Sequence, residues 1–183
     1  STTLASGAGA GLGIAPRWIT RVIGVAKAYI TRVGSGPLPS ELLDDTGDAI
    51  RNAGAEFGTV TGRPRRCGWF DAEISRFTAQ LNGFTELALT KLDVLDGLPV
   101  LRICIGYQHA ESGNELRHYW EGDARWLSEI KPVYIEMPGW QQSTKDIRQF
   151  DKLPQRAQAY VKKIEELAGT PISFVYVGPE RNS

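Results

Sequence analysis

Short apolar runs of strand length alternate along this chain with helix-length segments whose apolar residues recur at helical spacing. That alternation restricts the fold to a few α/β architectures. Residues 25–33, rich in branched and aromatic side chains, predict a strand, as do residues 87–89, 100–107, 133–135 and 172–177. Pro16 suits the first turn of a short helix reaching about residue 23, and a second short helix is expected over 48–53. Asp71 opens a helical stretch with Ile74, Phe77 and Leu81 on one face, ended by Gly83. Pro154 starts a longer helix that stops before Gly169, with Ala157, Tyr160, Val161, Ile164 and Leu167 as a packing stripe. Residues 34–39 and the Pro138-Gly139-Trp140 turn punctuate the pattern, and the polar stretch 109–123 is expected to be a surface excursion. The order predicts α/β with a mainly parallel sheet and flanking helices, without internal repeat or linker.

The length of 183 residues suits one domain, and a hydrophobic fraction of 42% supplies a core. The 21 basic and 21 acidic residues cancel, so no global field favours nucleic acid or an anionic membrane. Anion binding must therefore come from local basic loops. Cys67 and Cys104 lack metal-ligand spacing and are expected as free thiols in a reducing cytosol. No apolar stretch has the length of a bilayer span, which predicts a soluble, cytoplasmic protein. The only methionine is Met137 and the chain opens at Ser1 into small residues, so a fragment is expected, with the C-terminus at Ser183 equally open.

The run Thr90-Lys91-Leu92-Asp93 follows the predicted strand at 87–89. This places Lys91 and Asp93 at a strand's C-terminal end, where open α/β sheets bind ligands. An aspartate there can accept both hydrogens that guanine presents at N1 and N2, while a lysine two residues earlier lays its methylenes along the purine. By itself such a triplet is more often a solvated strand end. Upstream lies the basic loop Gly62-Arg63-Pro64-Arg65-Arg66, whose guanidiniums suit carboxylate or phosphate. Gly58, Thr59, Thr61 and Gly62 add backbone and hydroxyl donors beside it.

Other features carry less. The run Gly7-Ala8-Gly9-Ala10-Gly11-Leu12-Gly13 fits no register of Gly-x-Gly-x-x-Gly, and a loop or turn is expected there. His109 and His118 are expected to be exposed and non-catalytic, and Trp69, Trp120, Trp126 and Trp140 to pack in core or turns. Glu41, Asp44 and Asp45 are expected as solvated carboxylates. Nowhere does the chain contain Gly-x-x-x-x-Gly-Lys-Ser/Thr.

Taken in order, residues 24–29, 31–34, Gly36-Pro37, Phe57-Gly58, 61–68, 90–97, 138–140, 164–167 and Gly178-Pro179 closely resemble the C-terminal part of the adenylosuccinate synthetase family. That resemblance runs nearly end to end and implies that residues 1–183 are the C-terminal portion of a larger P-loop-like synthetase domain. It implies a GTP-dependent, Mg²⁺-requiring ligation of IMP and L-aspartate to adenylosuccinate, GDP and phosphate, in AMP biosynthesis. The aspartate-binding loop would span 57–68, with contacts from Thr59, Val60, Thr61, Gly62, Arg63, Pro64 and Arg65. Arg63 would also approach IMP, with Ala8 and Gly11 in the IMP wall, and Arg65 would bridge towards GTP. Segments 90–97 and 176–179 would hold guanine, through Lys91, Leu92, Asp93, Tyr176, Val177 and Gly178. Val60 stands where threonine is usual and Tyr176 where some members have serine.

In the family, the phosphate loop with its general-base, metal-binding aspartate and a later histidine acid are N-terminal. The resemblance therefore assigns no catalytic residue and no metal ligand to these residues, places the Mg²⁺ ligands elsewhere, and predicts an inactive fragment. A homodimer is implied for the whole enzyme, with no nucleic acid or membrane partner. The alternative from another class is a stand-alone guanine-nucleotide-binding or regulatory module without catalysis.

Overall fold

Residues 3–116 and 123–179 are described by the computed structural model; His118 and Trp120 lie outside them. Along the chain the elements are α1 (Ser6–Leu12), β1 (Ile23–Lys27), β2 (Ile30–Arg32), α2 (Asp45–Ala53), β3 (Arg66–Gly68), β4 (Phe70–Asp71) and α3 (Ala72–Asn82). They continue with β5 (Glu86–Thr90), β6 (Val100–His109), β7 (Glu115–Leu116), α4 (Ala124–Glu129), β8 (Ile130–Pro138), α5 (Gln155–Ala168) and β9 (Ile172–Val175). No helix among the described residues is long and apolar enough to cross a membrane.

The parallel sheet has the order β1-β5-β9, with β5 central. Central position explains why β5 is a continuous apolar run rather than an alternating one: both faces and both edges of Leu87, Ala88 and Leu89 are covered. Strand β1 pairs in register from Ile23 beside Glu86 to Lys27 beside Thr90, so both strands end at the same level. Helix α5 seals the core with Ala157, Tyr160, Val161 and Ile164, all buried at the predicted spacing. The Tyr160 hydroxyl donates to the Ala28 carbonyl at 2.8 Å, which satisfies its polar tip.

A second sheet is built on the ten-residue β6, which pairs antiparallel with β8 and β7 and parallel with β4. The third pairing, β2 with β3, is antiparallel and sets Arg32 beside Arg66. The parallel sheet expected from the alternation is present and carries the site described below, with these antiparallel pairings added at its side.

Helix starts follow the cap chemistry. Asp44 accepts from the amides of Thr46 and Gly47 at 3.1 Å, so α2 begins at Asp45 rather than at 48. Asp71 accepts from the Ile74 amide at 3.1 Å, and Gly83 ends α3 in the left-handed region.

Several expectations differ from the fold. The glycine-rich run at 7–13 is helix α1, not a loop; its alanines sustain one short helix, Gly13 closes it at φ 67°, and Asn82 accepts from the Ala5 amide at 2.7 Å. Pro16 begins only a 3-10 turn through Trp18. The strand expected over 25–33 is two strands, because the chain bends at Ala28 and Tyr29 to bury the tyrosine. Within α3, Ala72, Glu73 and Ala79 are buried, whereas Phe77 and Leu81 are exposed, Leu81 by 56%. The surface excursion expected after His109 is exposed over 110–114 and returns as a hairpin that sets Leu116 beside Tyr107, with residues 117–122 outside the described residues. Strand β8 runs over nine residues, well beyond 133–135, because its partner β6 is long.

Candidate nucleotide and anion site

Strand β5 ends at Thr90, and the next residue, Lys91, takes the left-handed conformation at φ 60°. A lysine there turns the chain sharply into the 3-10 turn Leu92–Leu95, with Leu92 and Leu95 fully buried as anchors. Asp93 is thereby held at the strand's end. Its Oδ1 is buried and has no hydrogen-bond partner. Burial, reinforced by the Asp96 carboxylate, pushes the Asp93 carboxyl upward against its own amide, Lys91 and Lys145.

A cleft of about 790 Å³ opens here, lined by Lys91, Asp93, Val94, Gly54, Tyr176 and Gly178 among others. The strand-end segment after β9 is strapped to it: the Tyr176 amide donates to the Leu89 carbonyl at 2.8 Å, and the Leu92 amide donates to the Tyr176 carbonyl at 3.1 Å. The two segments expected to hold one base are thus joined by backbone. Leu92 and Val177, expected among the contacts, bury their side chains in the core and support the cleft from below. Ala8 and Gly11, on exposed α1, do not line this cleft.

The basic loop forms a tight excursion pinned at its base. Phe57 bridges Pro64, the Gly58 amide donates to the Arg63 carbonyl at 2.8 Å, and Gly62 turns at φ 64°. Thr59, Val60, Thr61, Gly62 and Arg63 are exposed at the tip, Val60 by 96%. The loop closes at Pro64, and residues 66–68 already belong to β3. The three arginines separate by role. Arg66 donates through Nε to Glu41 Oε1 at 2.7 Å, so Glu41 is an ion-paired carboxylate rather than a solvated one. Arg65 points inward, with Nη1 2.8 Å from Glu56 Oε2 and a buried Nε that has no partner.

Glu56 ties these parts together. It is completely buried, and it follows Ala55, which takes the left-handed conformation at φ 49°. Its Oε1 accepts from Lys27 Nζ at 2.8 Å, Lys91 Nζ at 2.8 Å and the Tyr29 hydroxyl at 2.6 Å. Burial opposes its charge, but the donors from Lys27, Lys91, Tyr29 and Arg65 outweigh it and hold the carboxyl at about 2. Three cations on one carboxylate leave an excess of positive charge at the end of a neutral chain's central strand. Such a surplus suits carboxylate or phosphate.

Across the whole chain, residues 1–183, the matching family model is the one described as adenylosuccinate synthetase. The chain belongs to the adenylosuccinate synthetase family. Adenylosuccinate synthetase of Heliobacterium modesticaldum is 50% identical over 181 residues, covering 99% of this chain and 42% of that protein. The Nitrosomonas europaea relative is 51% identical over 181 residues, with 99% and 42% covered. A solved structure described as fully ligated adenylosuccinate synthetase from Plasmodium falciparum superposes with a TM-score of 0.96 at 38% identity, covering 100% of this chain and 43% of that one. The chain therefore spans about two fifths of the length of the relatives it matches.

Two carboxylates that organise the site carry little signal in the sequence. Glu56 stands alone between Ala55 and Phe57, and its only signal is its place just before the basic loop. Asp96 accepts from Trp140 Nε1 at 2.7 Å, the Thr144 amide at 2.8 Å and the Thr144 hydroxyl at 2.9 Å. It thereby clamps the Pro138-Gly139-Trp140 turn onto the segment that carries Asp93. Gly139 is required there, since a Cβ would lie 1.7 Å from the Leu98 carbonyl oxygen. Cys67 and Cys104 are free and buried. No group of three or more His, Cys, Asp or Glu among the described residues could hold a metal.

Proposed function

We propose that these residues form the guanine- and L-aspartate-recognition part of an adenylosuccinate synthetase, which joins IMP and L-aspartate with hydrolysis of GTP. The observation that supports this reading most is the buried, partnerless Oδ1 of Asp93, a residue that lines the strand-end cleft. A buried carboxylate oxygen without a donor costs free energy until a ligand supplies one, and guanine presents two donors side by side, N1–H and N2–H. Adenine offers no such pair. Lys91, its ammonium fixed by the Gly54 carbonyl at 2.7 Å and by Glu56, keeps its methylenes in the cleft wall for stacking against the purine.

At the other end, Arg63 and the donors of Thr59, Thr61 and Gly62 bind the carboxylates of L-aspartate and aim its amine. Val60 contributes its backbone alone. Arg65, held by Glu56 at the root of this loop, bridges towards GTP. In the reaction the γ-phosphoryl group of GTP passes to O6 of IMP, and the aspartate amine then displaces phosphate. These residues accelerate it by positioning and by opposing developing negative charge. The described residues offer no ligand set of their own for Mg²⁺. The same reading gives a cytoplasmic homodimer that takes IMP, L-aspartate and GTP.

The test is direct. The intact protein carrying this sequence, supplied with GTP, IMP and L-aspartate, is expected to form adenylosuccinate and release phosphate in equal amounts, with ATP failing to replace GTP. Guanine-nucleotide binding without product would instead make it a binding module.

A further inference from the structure

Glu56 touches no space open to a ligand, yet it joins three segments that do. It is completely buried, and its two oxygens take hydrogen bonds from Lys91 beside the base cleft, from Arg65 at the root of the basic loop, and from Lys27 at the end of β1. All three bonds are 2.8 Å, and Tyr29 adds a fourth at 2.6 Å. We propose that Glu56 is a positioning residue that couples the two halves of the site, holding Lys91 for the purine and Arg65 for the aspartate loop through one shared carboxylate. This rests on the functional reading above.

The physical grounds are geometric. Lys91 sits in a left-handed backbone conformation from which its side chain must be directed, and the Gly54 carbonyl and Glu56 supply the direction. Arg65 is held through a single nitrogen, Nη1, on Glu56, while its Nε stays unpaired. Its reach therefore depends on where that carboxylate stands. Glu56 itself is fixed by backbone: the Glu56 amide donates to the Arg51 carbonyl at 2.9 Å, and its carbonyl accepts from the Arg65 amide at 2.9 Å. A side chain so rigidly mounted gives both cations one fixed anchor, so that loss of the anchor releases them together.

The experiment is steady-state kinetics on the intact protein with Glu56→Gln, Lys91→Met, Arg65→Met and the two double variants that contain Glu56→Gln. Glu56→Gln is expected to raise KM for both GTP and L-aspartate about tenfold, leaving KM for IMP within about twofold. Contacting residues that act as a unit are non-additive. The GTP effect of Glu56→Gln should therefore fall below about threefold on the Lys91→Met background, and the aspartate effect likewise on Arg65→Met. Independent, multiplicative effects, or a rise for only one substrate, overturn the coupling role. Should Glu56→Gln not give folded protein, Glu56→Asp keeps the charge but withdraws it by one methylene. The same paired rise in KM is then expected, and wild-type kinetics overturn the proposal. Failure of the wild-type protein to form adenylosuccinate would refute the functional reading instead.

Discussion

Asp93→Ala in the intact protein is expected to lower kcat/KM for GTP by roughly 100- to 1000-fold and to remove its advantage over ATP. Two hydrogen bonds to an ionised acceptor contribute about 1.5–3 kcal/mol each, and non-additivity brings the pair to about 3–4 kcal/mol. ATP, which makes neither bond, should lose little. The same variant is expected to unfold no more easily than wild type, because Asp93 Oδ1 has no partner to lose in the ligand-free protein. Its carboxyl is shifted upward by burial, so the ionised form weakens the fold at neutral pH and its removal relieves that penalty. Kinetics with both nucleotides and a thermal melt check the two halves. Retained preference for GTP in the alanine variant would refute the assignment of Asp93.

Acid should withdraw the contribution of Glu56 only at the low end of the pH range. Its folded-state value of about 2 lies below its ordinary 4.5, so its contribution is complete above about pH 4.5 and disappears as pH falls through about 2. Lys27, Lys91, Arg65 and Tyr29 are the groups that face it. We expect a loss of about 2 kcal/mol across it, discounted from the full linkage value because the three cations are partly solvated. Glu86, drawn down by Arg21, titrates in the same range, so the diagnostic quantity is the difference between wild type and Glu56→Gln. Urea unfolding of both from pH 6 to pH 2 should show wild type losing its advantage with acid. Parallel curves would mean that the carboxylate is not ionised by its neighbours.

What could be read from the sequence, and what could not, follows from the range of the interactions concerned. The apolar run at 87–89 and the stripe on α5 are local patterns, and both appeared where expected, placing Lys91 and Asp93 at a strand end. The caps at Asp71, Gly83 and Gly169 are equally local. Glu56 is different. Nothing beside it signals burial, because its partners come from positions 27, 65 and 91 and meet only once the sheet has formed. Asp96 hides for the same reason, its partners lying 44 and 48 residues away. The glycine-rich run at 7–13 misled in the opposite sense: glycine content favoured a turn, while the intervening alanines and the Asn82 tether favour α1. The arginine cluster looked uniform, and only tertiary pairing assigns Arg66 to Glu41 and turns Arg65 to Glu56.

The measurement that bears most directly on the central claim is a crystal structure of the intact protein with GDP and L-aspartate. The guanine N1 and N2 should lie within hydrogen-bond distance of the Asp93 carboxylate, with Lys91 along the purine face and the aspartate carboxylates on the loop from Thr59 to Arg65. A guanine ring bound elsewhere, with Asp93 Oδ1 still unpartnered beside an empty cleft, would contradict the account.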